Sequence, residues 1–154
     1  MKVENFLTKV RPGTLAIIVI VIAIAVYYLF KKTTADANTN AVNNISVDPA
    51  KLTVNTESLD MKVSLLYNAM NVAWPNCDNS TVLLVFQSFG SLDDINYVIK
   101  AFGIKPHFLN GEGTNFLTKL WSTDLNLLGW ISAACNTDTA SSVNAILKQY
   151  GLSL

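Results

Sequence analysis

Thr14 to Phe30 reads TLAIIVIVIAIAVYYLF, seventeen residues without a charge. No other stretch restricts the chain so strongly. As a helix rising about 1.5 Å per residue it reaches roughly 25 Å, just short of a hydrocarbon core of about 30 Å. Tyr27 and Tyr28 close the run, where interfacial aromatics belong. Arg11 precedes it and Lys31-Lys32 follow, and basic side chains can snorkel to extend the span. The expectation is a single transmembrane helix over residues 14–32, anchored through Leu15, Ile18, Ile22, Val26, Tyr27, Tyr28 and Phe30. Two alternatives compete with it. A cleaved signal peptide would use Ala35-Asp36-Ala37, but the run exceeds the usual apolar length of about 7–15 residues and two lysines intervene. A buried core helix fits poorly with so uniform a run of Ile and Val.

The charge distribution points the same way. Net charge is zero, yet residues 1–32 hold five Lys or Arg against Glu4, whereas residues 33–154 hold six Lys against ten Asp or Glu. An acidic body excludes nucleic acid as its partner, and a basic end suits anionic head groups. Residues 1–13 place Val3, Phe6, Leu7 and Val10 on one helical face before Pro12-Gly13. That spacing predicts an interfacial amphipathic segment, with a frayed terminus as the alternative. Three basic residues before the apolar run and two after it put the N-terminus inside and the C-terminal domain outside.

Residues 33–57 are rich in Asn, Thr and Ala and are expected to form a polar linker, with one short strand allowed in Lys51-Leu52-Thr53-Val54-Asn55. Two glycosylation sequons, at Asn44 and Asn79, matter only in a eukaryotic secretory setting.

Residues 58–154 read as an all-α bundle of about five short helices. Ser58 is the expected cap of the first, and Trp74-Pro75-Asn76 its break. The next begins after Asp78 and stops by Gly90. Ser91 with Asp94 makes a capping box for a helix to Phe102. A loop covers Ile104 to Gly113, and Thr114 opens another helix. Thr123 or Asp124 restarts it toward Cys135. Asp138 or Thr139 opens the last helix, which runs to Tyr150.

One pattern occurs twice. INYVIKAFGI (Ile95 to Ile104) returns 48 residues later as VNAILKQYGL (Val143 to Leu152). In each copy four apolar residues share a face, an Asn flanks it, and an aromatic-Gly pair ends it. Phe89-Gly90 is a third such pair. A Gly past a helix end accepts the left-handed conformation without steric cost. Either a helical unit is duplicated or two amphipathic helices coincide.

Candidate chemistry is sparse. Cys77 and Cys135 are a candidate disulfide in an oxidising compartment, with two separate buried thiols as the alternative. Two cysteines without a CxxC and a single distant histidine make no zinc site. His107 is that histidine, and no Ser-His-Asp order supports it. Glu112, with Asp124 as a second carboxylate, is the candidate pair for a cell-wall glycosidase. Trp121 and Trp130 are read as core, with an interface centre as the alternative. No catalytic, cofactor-binding or metal-binding residue is assigned.

The stretch Gly111-Glu112-Gly113-Thr114-Asn115, set before an expected helix, resembles the G-x-G-T loop of annexin repeats. That resemblance implies short helices and a calcium site at a membrane, completed by an acid about 40 residues downstream. Gly111, Gly113 and Thr114 match. The acid does not, because Asp138 is the last in the chain. In composition, Asn-rich with a single Arg, the chain is similar in style to small single-pass proteins of lipid-containing bacterial viruses.

The expected function is that of a membrane-anchored structural or interaction protein without cofactor. The preferred version is a virion membrane protein joining a lipid bilayer to a capsid layer, partnered by other membrane or capsid proteins or by copies of itself. A non-enzymatic accessory subunit of a bacterial envelope complex and a membrane-anchored peptidoglycan-cleaving enzyme are the alternatives.

Overall fold

The computed structural model describes residues 12–72, 77–107 and 122–154. The expected interfacial segment up to Arg11, the Trp74-Pro75-Asn76 break, the G-x-G-T loop with Glu112, the Thr114 helix and Trp121 lie outside them. The chain divides into two compact units, Met1–Thr34 and Ala35–Leu154.

The first helix, α1, runs from Pro12 to Asn43 over 32 residues. Proline stands where its missing N–H is harmless, at the helix start. The expected boundary at Lys32 is not a helix end. Thr33 to Asn43, expected as polar linker, continues the same helix. Among the described residues no helix is long and apolar enough to cross a membrane. The uncharged stretch is seventeen residues, and beyond Lys31-Lys32 the helix carries Thr, Asp and Asn. The expected transmembrane helix is therefore corrected to a long helix with an apolar first part and a polar second part. The single-pass membrane location and the outward C-terminal domain fall with it.

The second unit holds the core. After a 3-10 turn at Pro49–Lys51 come α2 (Thr56–Met70), α3 (Asn79–Gln87), α4 (Leu92–Phe102), α5 (Leu127–Ala134) and α6 (Thr137–Gln149). Strands β1 (Lys105–His107) and β2 (Thr123–Leu125) pair antiparallel, with Pro106 opposite Asp124. The mainly helical reading of this unit holds, but the ribbon replaces a loop and an expected helix start at Thr123. No strand forms over Lys51 to Asn55.

Helix α2 packs on α3 and α4, α3 on α6, and α5 joins α2, α4, α6 and β2. Each helix turns one stripe inward. Leu59 and Leu66 of α2, Val82 and Phe86 of α3, Ile95, Val98 and Phe102 of α4, Leu127 and Ile131 of α5, and Val143 and Leu147 of α6 are buried. Each such side chain contributes on the order of 1.5–3 kcal/mol by leaving water. Trp130 is also buried, as the core reading expects. Its ring meets Phe102 at 6.0 Å and Tyr67 at 5.7 Å between centroids. Its Nε1–H donates to the Lys105 carbonyl at 3.1 Å, which ties β1 to α5.

The repeated sequence folds twice as an amphipathic helix closed by a positive-φ glycine, with Gly103 itself the cap in the first copy and Tyr150 the cap in the second. Ile95, Val98, Ile99 and Phe102 are buried, as are Val143 and Leu147, with Ile146 and Tyr150 half-buried. Gly103 and Gly151 follow the helix ends at φ of 66° and 76°. Both flanking asparagines bond to distant backbone. Asn96 Nδ2 donates to the Ser46 carbonyl, and Asn144 Oδ1 accepts from the Leu154 N–H. Phe89-Gly90 is different, because Gly90 does not have positive φ. A Cβ there would sit 2.6 Å from Thr53 Oγ1, so glycine is needed for close approach.

Candidate functional site

Three arrangements stand out. The first is the apolar part of α1. Every residue from Ile17 to Tyr27 is exposed, as is Leu29, with Ile18 at 41%, Ile22 at 56%, Val26 at 43% and Tyr27 at 41%. Eleven consecutive residues cover every side of a helix with 3.6 residues per turn. Of the expected anchor residues, Leu15, Tyr28 and Phe30 share the helix backbone, and nothing is described of their side chains. A helix apolar all round belongs inside something rather than on a surface.

The second is a buried carboxylate. Asp94 is fully buried at the third position of α4. Oδ1 accepts the Thr53 N–H at 2.9 Å, and Oδ2 accepts the Gly90 N–H at 3.1 Å and the Ser91 N–H at 3.2 Å. The Thr53 hydroxyl also donates to Oδ2. The Asp94 N–H in turn donates to Ser91 Oγ, completing the expected capping box. Burial opposes ionisation here, and the hydrogen bonds from Thr53, Gly90 and Ser91 outweigh it, holding the carboxyl below its ordinary value. The group is charged and its acceptors are occupied. It staples the segment after the 3-10 turn to the start of α4, which is structural work.

The third is the disulfide. Cys77 and Cys135 are bonded, with Cα atoms 5.0 Å apart across 58 residues of sequence. The two lie at the start of α3 and the end of α5.

Other candidates resolve into packing. His107, on β1, is buried with its ring edge-on to Trp130 at 4.8 Å. Burial pushes the imidazole below its ordinary value, so it is neutral at neutral pH. Asp124 lies on β2, opposite Pro106. Its proposed partner Glu112 is outside the described residues. On the outer face of α2, Glu57, Asp60, Met61, Ser64, Leu65 and Asn68 line an open groove of about 440 Å³. Met61 and Leu65 are half exposed there, and Asp60 accepts the Tyr97 hydroxyl at 3.1 Å. Among the described residues no group of His, Cys, Asp and Glu is placed to hold a metal ion.

Sequence reasoning missed Thr53 as a partner of Asp94. The capping box was visible, but a threonine 41 residues upstream leaves no local trace. It also missed the asparagine caps. Asn55, Asn126 and Asn136 accept the N–H of Ser58, Gly129 and Thr139 at 2.9, 2.9 and 2.8 Å. Asparagine caps as well as serine or aspartate does, and this signal was available.

No protein-family model, no curated protein and no solved structure matches this chain.

Proposed function

We propose that this chain is a non-catalytic structural or accessory subunit of a larger protein assembly. Neighbouring protein chains enclose the apolar part of α1, and the disulfide-closed helical unit serves as the docking piece. The observation that carries this reading is the exposure of every residue from Ile17 to Tyr27. Left in water, so large an apolar surface drives association at roughly 25 cal/mol per Å² removed from solvent. The uncharged stretch, shorter than a hydrocarbon core, favours protein neighbours over lipid as the enclosure. The structural use of Asp94 and His107 also suits a scaffold. A virus particle is the preferred setting, in keeping with the Asn-rich, Arg-poor composition, and a cell-envelope complex is the other.

The test is fractionation of the full chain from its source. Copurification with detergent-resistant protein shells or complexes at fixed stoichiometry supports the proposal. Recovery as a free monomer contradicts it. In a wall-digestion assay, Glu112→Gln is expected to leave the behaviour of the chain unchanged, and a loss of lytic activity would favour an enzyme instead.

A further inference from the structure

We infer that the Cys77–Cys135 bond is a redox latch on the junction between α3 and α6, and that the C-terminal unit is built to mature where thiols are oxidised. Each cysteine immediately precedes a helix cap. Cys77 stands before Asp78, the cap of α3, and Cys135 before Asn136, the cap of α6. The bond therefore joins two helix starts at the point where each chain direction is set.

The surrounding hydrogen bonds share the same residues. Asn79, the first residue of α3, accepts the Asn136 N–H through Oδ1 at 3.1 Å. Its Nδ2 donates to the Cys77 carbonyl at 3.0 Å. The Asp78 N–H donates to Ala69 O at 2.8 Å, holding the same junction to the end of α2. Cys77 is buried. The chain has two cysteines and both are in this bond, so no third thiol can attack it from within.

Formation balances with a glutathione-type disulfide as oxidant. The Cys77 thiolate attacks that disulfide, forming a mixed disulfide and releasing one small thiol. The Cys135 thiolate then attacks Cys77 Sγ and releases the second. Two protein thiols are oxidised, one small disulfide is reduced to two thiols, and the two protons pass to those thiols. Such bonds persist in oxidising compartments and are scarce where glutathione and thioredoxin keep thiols reduced.

Opening a closed loop of 58 residues lowers the folding equilibrium constant by about a thousandfold in the chain-entropy picture. The latch predicts more than that global change. On reduction the amides of Asp78, Asn136 and Ala140, which bond at the junction, lose protection first. The amides of Thr53, Gly90 and Ser91, held by Asp94, keep theirs.

Two measurements decide the matter. Chain taken from its source under acid quench and alkylated before any reduction is expected to show both cysteines blocked; two free thiols would overturn the compartment claim. Hydrogen exchange of the full chain, with and without a phosphine reductant, is expected to show selective loss at the junction. Unchanged exchange, or uniform loss across the unit, would overturn the latch. Cys77→Ser removes the bond and its stabilisation together, so Asn79→Ala, which keeps both cysteines, provides a second readout. In that variant, whose Asn136 N–H has lost its acceptor, reduction is expected to deprotect Asp78 and Ala140 at least tenfold more than in the parent, and additivity of the two changes would contradict the coupling.

Discussion

Asp94 shows what one buried charge can do when every acceptor is occupied. It is held by three N–H groups and a hydroxyl, and these donors come from Thr53, 41 residues upstream, and from the nearby Gly90 and Ser91. Replacing it by Asn sets an NH₂ group against N–H donors. We expect Asp94→Asn to lower stability by about 2–4 kcal/mol, read from urea midpoints at neutral pH. The acid side of the profile follows from the same contacts. The folded carboxyl lies below its ordinary 3.8, so its contribution is fully present above that value and is lost as pH falls through it. Stability measured from pH 6 to 2 should drop below about pH 4, and Asp94→Asn should flatten that drop. A drop of the same size in the variant would assign it elsewhere. The sequence showed the local half of this site, the capping box. The other half depends on a chain reversal that no local pattern encodes.

At the scale of elements, the starts at Asp78 and Ser91 and the two helix ends marked by a positive-φ glycine were the most legible features. Gly103 and Gly151 end their helices as the repeated pattern predicts, because a positive φ excludes most other residues. The two are not equivalent, however. Gly103 has φ 66° and ψ −148°, a region essentially reserved for glycine. We expect Gly103→Ala to cost about 1–3 kcal/mol. A Cβ at Gly151 meets nothing within 4 Å, so Gly151→Ala should cost about 1 kcal/mol from backbone strain alone. Thermal melts of the two variants check this order, and equal losses would contradict it. Asp78 and Ser91 cap α3 and α4 where expected, but the starts of α2, α5 and α6 were misplaced by two or three residues, because several Ser, Thr, Asp and Asn stand near each boundary and only tertiary contacts choose among them. Asn136 caps α6 where Asp138 or Thr139 was expected. Its replacement by Ala should lower stability by about 1 kcal/mol, since the Oδ1 that accepts the Thr139 N–H is lost. The β1–β2 ribbon was illegible for a related reason. It is three residues long, contains Pro106, and gains its partner only through the fold.

For the whole molecule, the helical second unit follows from apolar spacing, and the cysteine pairing that spacing left open is closed by the topology. The chain-entropy value for a 58-residue loop is about 4 kcal/mol. That is a large share of the roughly 5–15 kcal/mol by which a domain is stable. The apolar run near the start was plain in the sequence, but its environment was not, because hydropathy reports the need for enclosure without naming the encloser. The central claim is that neighbouring proteins supply it. Sedimentation velocity of the detergent-free, lipid-free full chain, alone and in complexes drawn from its source, tests this most directly. The account predicts a defined protein assembly that Ile18→Lys with Ile22→Lys dissociates while the helical unit stays folded. A monodisperse monomer, or full recovery with added lipid vesicles and no protein neighbour, would contradict it.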